Sequence, residues 1–306
     1  MNYTYTAAGL LLTVASALAA AVPAASETLS VLGSIEAPKR GHDGVTVSEL
    51  SGLAWDEDEK LLYAVSDDGI LHHFRLTYDA SGIQAVEAVF ATRLSGAAAG
   101  LVNAEGLAVS GGDNGKAGDS ELLIAFEDGP SLQRFGPDGT PGEMLTLPEA
   151  LADPGRYNAD NSRLEAVAYD PERGIVTAPE EPMADQPGDT HSIYSLDGKS
   201  WTFQAFQPKR SNLKAIEPIG GGRMLVLERT RDQKGGPDTA RLRIVDLSGC
   251  GGAVACKAVD LATDSPAFDD NFEGMTRLSG DLYVAATDKK KRDTPPTTFV
   301  LFTITP

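Results

Sequence analysis

"NFEGMTRL" at residues 271–278 has an earlier counterpart in "NAEGLAV" at residues 103–109. In both stretches an Asn, one further residue and a Glu-Gly pair stand directly in front of an apolar run. Related stretches are "ELSGLAWD", "RLEAVAYD" and "NLKAIEPI", and the five copies place a small residue at Gly52, Gly106, Ala166, Ala215 and Gly274. Self-similarity at a period near 50 residues indicates stacked supersecondary units.

Each unit continues with further short apolar runs that are typical of β-strands. After "NAEGLAVS", for example, come "ELLIAFED", "PSLQRFG" and "GEMLTLPE". The runs are rich in Val, Ile, Leu and aromatic residues and are bounded by Gly, Pro, Asp and Asn, which predicts strands joined by turns. Four units contain four such runs, whereas the fifth contains three.

The missing strand is predicted at the other end of the chain, where "ETLSVLGSI" at 27–35 belongs to no unit. Pairing it with the last run closes a radial array that buries its strand edges. The sequence therefore predicts an all-β fold, a β-propeller of five four-stranded blades closed by the N-terminal strand. Six blades stay open as an alternative, because the segments 27–48 and 141–164 hold spare residues.

The chain begins with an apolar, Ala-rich stretch, and its first basic side chain is Lys39. Small residues suited to cleavage follow the stretch, which predicts a signal peptide over 1–25 and one propeller domain over 26–306. An uncleaved membrane anchor is the alternative. We expect a periplasmic or secreted protein with no membrane association after signal cleavage.

The composition is strongly acidic, with 44 Asp and Glu against 26 Lys and Arg and a net charge of -18. A phosphate backbone is bound by Lys and Arg, so this balance argues against nucleic acid as a partner. It favours the binding of cations.

Two cysteines, Cys250 and Cys256, lie in the Gly-rich stretch "SGCGGAVAC" between strand-like runs. A hairpin would bring them together, and export makes oxidation the expected state, so we predict a disulfide. Two free thiols are the alternative reading. The spacing matches no zinc pattern.

In a propeller the first strand of each blade lines the central axis, so equivalent residues on these strands form a ring. The ring position is the residue before the small residue of each repeat, namely Ser51, Glu105, Glu165, Lys214 and Glu273. Three converging carboxylates repel one another unless a cation neutralises them. Calcium is the predicted occupant, because it accepts six to eight oxygen ligands with tolerant geometry. Alternatively, the Glu side chains hydrogen-bond neighbouring blades and hold the ring closed.

Acidic residues also end the second run of most units, and basic residues lie near them. The predicted metal ligands are Glu105, Glu165, Glu273, Asp67, Glu127, Glu228 and Asn271. Lys214, Arg229 and Lys289 are predicted to bind substrate, because Lys and Arg beside a metal suit a phosphorylated ligand. For "KKKR" at 289–292, a solvated loop is the alternative. The sequence contains no nucleophile-elbow, P-loop or paired-His metalloprotease motif.

Taken in order, the five repeats resemble the phytase-like family of exported bacterial proteins, described as having esterase-like activity of phytase. The resemblance extends from about residue 45 to 304. It implies a propeller that hydrolyses phosphoric esters with the help of a divalent metal. Glu165 or Glu180 would then act as general base, and a small phosphorylated molecule would be the substrate of a monomeric enzyme. The alternative function is a non-catalytic propeller that binds a ligand or partner at the channel mouth.

Overall fold

The computed structural model describes residue 1 and residues 27–95, 103–231, 238–261, 266–290 and 296–305, and the ordered elements are almost entirely β-strands. The strands form five antiparallel sheets of four strands each. The predicted signal peptide lies outside the described residues. Within the described ranges, no helix has the length and apolar character needed to cross a membrane.

The first three blades are built from strands that follow one another directly along the chain. Blade 1 contains β2 (Leu50–Asp56), β3 (Leu61–Ser66), β4 (Ile70–Asp79) and β5 (Gly82–Arg93). Blade 2 contains β6 (Ala104–Ser110), β7 (Glu121–Phe126), β8 (Ser131–Phe135) and β9 (Pro141–Leu145). Blade 3 contains β10 (Leu164–Asp170), β11 (Gly174–Pro179), β12 (Thr190–Ser195) and β13 (Ser200–Gln204).

The last two blades complete the ring. Blade 4 contains β14 (Ser211–Gly220), β15 (Arg223–Arg231), β16 (Asp238–Asp246) and β17 (Lys257–Asp260). Blade 5 contains β18 (Phe272–Ser279), β19 (Leu282–Thr287), β20 (Thr298–Thr305) and β1 (Thr28–Glu36). Each inner strand contacts the inner strand of the next blade, and β18 contacts β2, so the five sheets form a closed five-bladed β-propeller.

Closure by the N-terminal strand is confirmed. β1 pairs with β20 in antiparallel register from Thr28 opposite Thr305 to Glu36 opposite Thr298. The alternative of six blades is wrong, because the spare residues form other elements. Residues 141–164 supply β9, a helix at Glu149–Ala152 and a 3-10 turn at Pro154–Arg156, while 27–48 supply β1 and a 3-10 turn at His42–Gly44.

The hydrophobic core consists of five clusters, each between two neighbouring blades. Between blades 5 and 1, for example, Leu53 and Leu62 pack with Val284 and Phe299. The inner strands are buried on both faces, as in β2, where every residue is buried. This burial explains why the inner strands appear in the sequence as continuous apolar runs without polar alternation.

A disulfide joins Cys250 and Cys256, as predicted, with Cα atoms 5.0 Å apart. It lies in the connection between β16 and β17, where Gly251 and Val254 form an isolated antiparallel bridge. The bond therefore closes a tight turn at the outer side of blade 4.

Candidate functional site

The ring position predicted from the repeats coincides with a β-bulge in every inner strand. In β2 the pairing with β3 shifts between Leu50 and Gly52, which leaves Ser51 as the extra residue. The other four inner strands shift at the equivalent place, so the bulged residues are Ser51, Glu105, Glu165, Lys214 and Glu273. A bulge redirects a side chain out of the regular strand alternation. All five side chains are buried at one end of the axis.

The inner strands approach one another closely beside this ring. A Cβ atom on Gly52 would lie 2.6 Å from the carbonyl oxygen of Glu105, so crowding at the axis explains why the repeats carry small residues there. The cavity between the strands at this level has a volume of about 10 Å³, roughly one water molecule. The ring of bulged residues therefore closes this end of the propeller axis, which we call the acidic end, and within the described residues no wide channel opens from it.

A second layer of side chains comes from the residues at the ends of the second strands. The N–H groups of Asp67, Glu127, Glu180 and Asp288 donate to the carbonyls of Glu49, Asn103, Arg163 and Asn271, at 2.8 to 3.1 Å. In blade 4 the residue at this place is Arg229, which pairs with Asn212. The strand-end positions are thus Asp67, Glu127, Glu180, Arg229 and Asp288.

Glu228, a predicted metal ligand, is not among the residues brought to the ring. It is completely buried, and it accepts hydrogen bonds from the Phe206 N–H at 2.9 Å and from Arg243 at 2.7 Å. His191 Nε2 lies 3.4 Å from its carboxylate. Because successive residues of a strand point to opposite faces, Arg229 points toward the ring and Glu228 points away from it.

Lys214 occupies the centre of the acidic cluster. Its Nζ atom lies 2.5 Å from Glu165, 2.7 Å from Glu180 and 3.3 Å from Glu273. The side chain is only 5% exposed. An ammonium group has three donors, so these three carboxylates account for its hydrogen-bonding capacity.

Arg229 contacts two of these carboxylates from the solvent side. Its guanidinium lies 2.7 Å from Glu273 and 3.0 Å from Glu180, and it donates to Asn271 Oδ1 at 3.2 Å. The side chain is 20% exposed, far more than that of Lys214. Arg229 therefore connects the buried ring with the surface.

Two groups of three carboxylates have ligand atoms within 4.8 Å of one another. We name the first the Glu105 triad, which consists of Asp67, Glu105 and Glu273. We name the second the Glu165 triad, which consists of Glu127, Glu165 and Glu180. The sequence predicts seven carboxylate side chains as metal ligands or general bases. Six of them belong to these two triads, and the seventh is Glu228.

The Glu165 triad is fully supplied with hydrogen-bond donors. Lys214 contacts Glu165 and Glu180, as described above. The third member, Glu127, accepts from Asn103 Nδ2 at 2.5 Å and from the Arg163 N–H at 3.1 Å. Each carboxylate of this triad therefore has a donor from the protein itself.

The Glu105 triad has fewer donors. Asp67 accepts from the Ser51 hydroxyl, and Glu273 contacts Arg229. Glu105 is only 6% exposed, and no side-chain hydrogen bond to it exists in the part of the chain that the structure describes. The neighbouring Asp288 also has a buried Oδ1 atom without a donor among the described residues, while its Oδ2 accepts from Asn271.

Burial raises carboxylate pKa values in both triads, and in the Glu165 triad it raises the pKa of Glu165 well above its ordinary value and that of Glu127 to about 7. Burial, with the charges of Glu165 and Asp67 next, raises the pKa of Glu105 well above its ordinary value. Burial likewise raises the pKa of Asp67 to about 6 and that of Asp288 to about 7. Burial opposes the charge of Glu180 as well, but Lys214 and Arg229 outweigh it and lower the pKa of Glu180.

Lys289 lies at the edge of this site. Its Nζ atom donates to Asp270 at 2.6 Å, and its carbonyl accepts from the Glu49 N–H at 2.8 Å. Lys290 of the predicted basic run is also described, whereas Lys291 and Arg292 lie outside the described residues. Of the three predicted substrate-binding residues, Lys214 and Arg229 lie together, and Lys289 reaches an aspartate beside Asn271.

The Glu105 triad has the donor set that a calcium ion requires. Its ligand atoms are all carboxylate oxygens, and calcium binds oxygen ligands almost exclusively. The buried Oδ1 atom of Asp288 lacks a donor among the described residues, which is costly, and a cation bound beside it would satisfy it. The residues present therefore fit a divalent cation, with Asp67, Glu105 and Glu273 as its ligands and Asp288 beside them.

Sequence reasoning missed two features of this site. Asp288 was absent from the predicted ligands, although it directly follows β19 as Asp67 directly follows β3. The Arg163 N–H, which donates to Glu127, leaves no signal in the sequence, because any residue except proline carries the same group.

Comparison with known proteins identifies the family. The Phytase-like family, described as "Esterase-like activity of phytase", matches residues 45–289. No curated protein matches the sequence. A chain in the crystal structure of a nidogen/laminin complex is 14% identical over 78% of this chain and 72% of that chain, with a TM-score of 0.40, which supports no further conclusion. The matched region runs from the connection that precedes β2 to the acidic site in blade 5, and the chain therefore belongs to the Phytase-like family.

Proposed function

We propose that this protein is a calcium-dependent hydrolase of phosphoric esters and that its active site is the acidic end of the propeller axis. The observation that carries the proposal is the Glu105 triad, whose ligand atoms lie within 4.8 Å of one another beside Asp288, whose buried Oδ1 atom has no donor among the described residues. Family membership supports a hydrolase, because the family is described by an esterase-like activity.

Asp67, Glu105 and Glu273 would hold the cation. When bound, calcium would polarise the oxygens of a phosphoryl group and lower the pKa of a water molecule. Ser51 and Arg229 keep Asp67 and Glu273 in place through hydrogen bonds. The three ligands thus come from three blades, and side chains of blades 1 and 4 hold two of them in place.

Arg229 is the best-placed residue for the phosphoryl group of a small substrate. A guanidinium has five N–H donors, and the contacts to Glu180, Glu273 and Asn271 leave others free. Lys289, at the rim, would add a point charge. Lys214 is too buried, and too fully engaged with carboxylates, to contact substrate.

For the general base, the sequence predicts Glu165 or Glu180. Both contact Lys214, but Glu180 also contacts Arg229, the proposed phosphate-binding residue. A base must lie within reach of the proton that it accepts, and therefore we favour Glu180. Glu165 would instead help to fix Lys214.

Export is part of the proposal. The disulfide between Cys250 and Cys256 is typical of proteins that fold in an oxidising compartment. We propose a monomer that acts in the periplasm or outside the cell.

The test is phosphate release from an aryl phosphate, measured with added calcium and with a chelator. We expect turnover that depends on calcium and is lost in Glu105→Gln. Glu143→Gln, which alters an exposed acid on blade 2, is the control and should retain full activity. Equal rates of release with calcium and with chelator would refute metal dependence.

A non-catalytic binding function is the second candidate, and a cavity favours it. The opposite end of the axis contains a cavity of about 550 Å³, lined by Trp55, Val109, Tyr169, Glu217 and Arg277 among others. This volume lies within the range of small-ligand pockets. If calcium-dependent hydrolysis is absent, this cavity is the place to search for a ligand.

A further inference from the structure

The two carboxylate triads differ in what neutralises them, and this difference bears on how many cations the site takes. The inference that follows rests on the proposed function, because it concerns the same site. Lys214 holds a ring position at which three of the other four blades carry Glu.

The Nζ atom of Lys214 lies where a cation bound to the Glu165 triad would lie. This atom lies within 2.7 Å of carboxylate oxygens from blade 3, Glu165 and Glu180, although the side chain itself comes from blade 4. At 5% exposure it has no open path to solvent.

A divalent ion in the Glu165 triad would compete with this ammonium for the same oxygens. It would also face a positive charge at close range in a buried site, where like charges repel strongly. The remaining member, Glu127, already accepts two hydrogen bonds. Arg229 contacts one member of each triad, so the contrast lies in Lys214, which contacts two members of the Glu165 triad but only Glu273 of the Glu105 triad, at a longer distance of 3.3 Å.

We propose that Lys214 is the built-in cation of the Glu165 triad, so that the protein binds a single calcium ion, in the Glu105 triad. Lys214 is thus a positioning residue that sets the metal stoichiometry and does not bind substrate. Replacing it by a neutral side chain of similar length is expected to open the second triad to a second ion.

The experiment measures calcium stoichiometry of the chelator-stripped protein by isothermal titration calorimetry and by native mass spectrometry. The probe is calcium chloride alone. We expect one equivalent for the wild type and two for Lys214→Met. Glu105 and Glu165 hold the same bulge position on neighbouring inner strands, so Glu105→Gln and Glu165→Gln are matched. The first should lose calcium binding, and the second should retain one equivalent.

Two equivalents on the wild type would overturn the inference, as would retention of calcium by Glu105→Gln together with its loss in Glu165→Gln. The wild type and the two Gln variants decide the question even if Lys214→Met does not fold. One bound ion without any hydrolysis would support the inference while refuting the proposed function. Absence of calcium binding to the wild type would refute both.

Discussion

A Cβ atom on Gly106 would lie 2.7 Å from the carbonyl oxygen of Glu165, closer than side chains approach backbone in folded proteins. Both residues belong to inner strands, in blades 2 and 3. The carbonyl is part of the main chain, and hence it cannot move away without displacing the bulge that presents Glu165. Packing at the axis and the geometry of the site are therefore coupled.

Gly106→Ala is expected to lower the free energy of unfolding by about 1 to 3 kcal/mol, because an added methyl group in a close-packed interface forces the backbone to shift. Urea denaturation monitored by Trp fluorescence measures the change. Gly249→Ala is the control, because a Cβ atom there meets no other atom within 4 Å. An unchanged stability of Gly106→Ala would show that neighbouring blades are less tightly packed than described.

Deleting residues 27–36 should destabilise the protein far more than ten residues of an exposed strand would suggest. Without β1, the edge of β20 is exposed, and an unpaired apolar edge is a template for aggregation. Size-exclusion chromatography and thermal melts of the truncated chain test the expectation. A monomer with an unchanged melting temperature would mean that β1 does not close the ring.

The fold could be predicted because the same local pattern recurs in each of the five blades. A Glu-Gly or equivalent pair before an apolar run marks both the bulge and the close approach of the next strand, and both depend on local sequence. The missing fourth strand of blade 5 pointed to residues 27–35, one residue from the observed Thr28–Glu36. The disulfide could likewise be predicted from the sequence, because Cys250 and Cys256 are separated by a turn.

The site could be predicted only in part, since strand register is not visible in an apolar run. In "MLVLERT" nothing in the letters shows whether Glu228 or Arg229 faces the axis. Pairing of Arg229 with Asn212 decides it, and this places Glu228 beside Arg243. The partners of Lys214 could not be predicted from the sequence either, because they depend on side-chain distances between blades.

Glu228→Gln should lower the free energy of unfolding at pH 7 by on the order of 3 kcal/mol, because it removes the charge that Arg243 neutralises in a fully buried site. Burial opposes the charged form of Glu228, but His191 and Arg243 lower its pKa to about 2. A carboxylate with a lowered pKa in the folded state stabilises the fold above its ordinary pKa of 4.5, and the contribution is lost as pH falls toward 2.

The difference in stability between the wild type and Glu228→Gln should therefore shrink between pH 5 and pH 3. Chemical denaturation of both proteins in chelator at each pH measures it, and Glu143→Gln serves as the exposed control. Taking the difference cancels the titration of the ring carboxylates, which both proteins share. A difference that stays constant with pH would contradict a buried, ionised Glu228.

The last prediction concerns Glu273, the ring residue of "NFEGMTRL". If it binds calcium, Glu273→Gln retains the shape of the side chain and removes one charged ligand, so calcium affinity should fall while the blades stay folded. A ligand that binds only the folded state stabilises it by mass action, and the rise in melting temperature with calcium should therefore be smaller in the variant than in the wild type. Thermal melts of both proteins, each with excess calcium and with chelator, measure the rise.

Glu273 also accepts a hydrogen bond from Arg229 at 2.7 Å. A purely structural role of this contact is the alternative that the melts distinguish from calcium binding. If the carboxylate serves only as a structural acceptor, the substitution lowers the melting temperature equally with calcium and with chelator, because the lost interaction does not involve the ion. A ligand role changes the difference between the two conditions, whereas a structural role changes both values together. A wild type whose melting temperature does not respond to calcium would refute the metal site and, with it, the main support for hydrolysis.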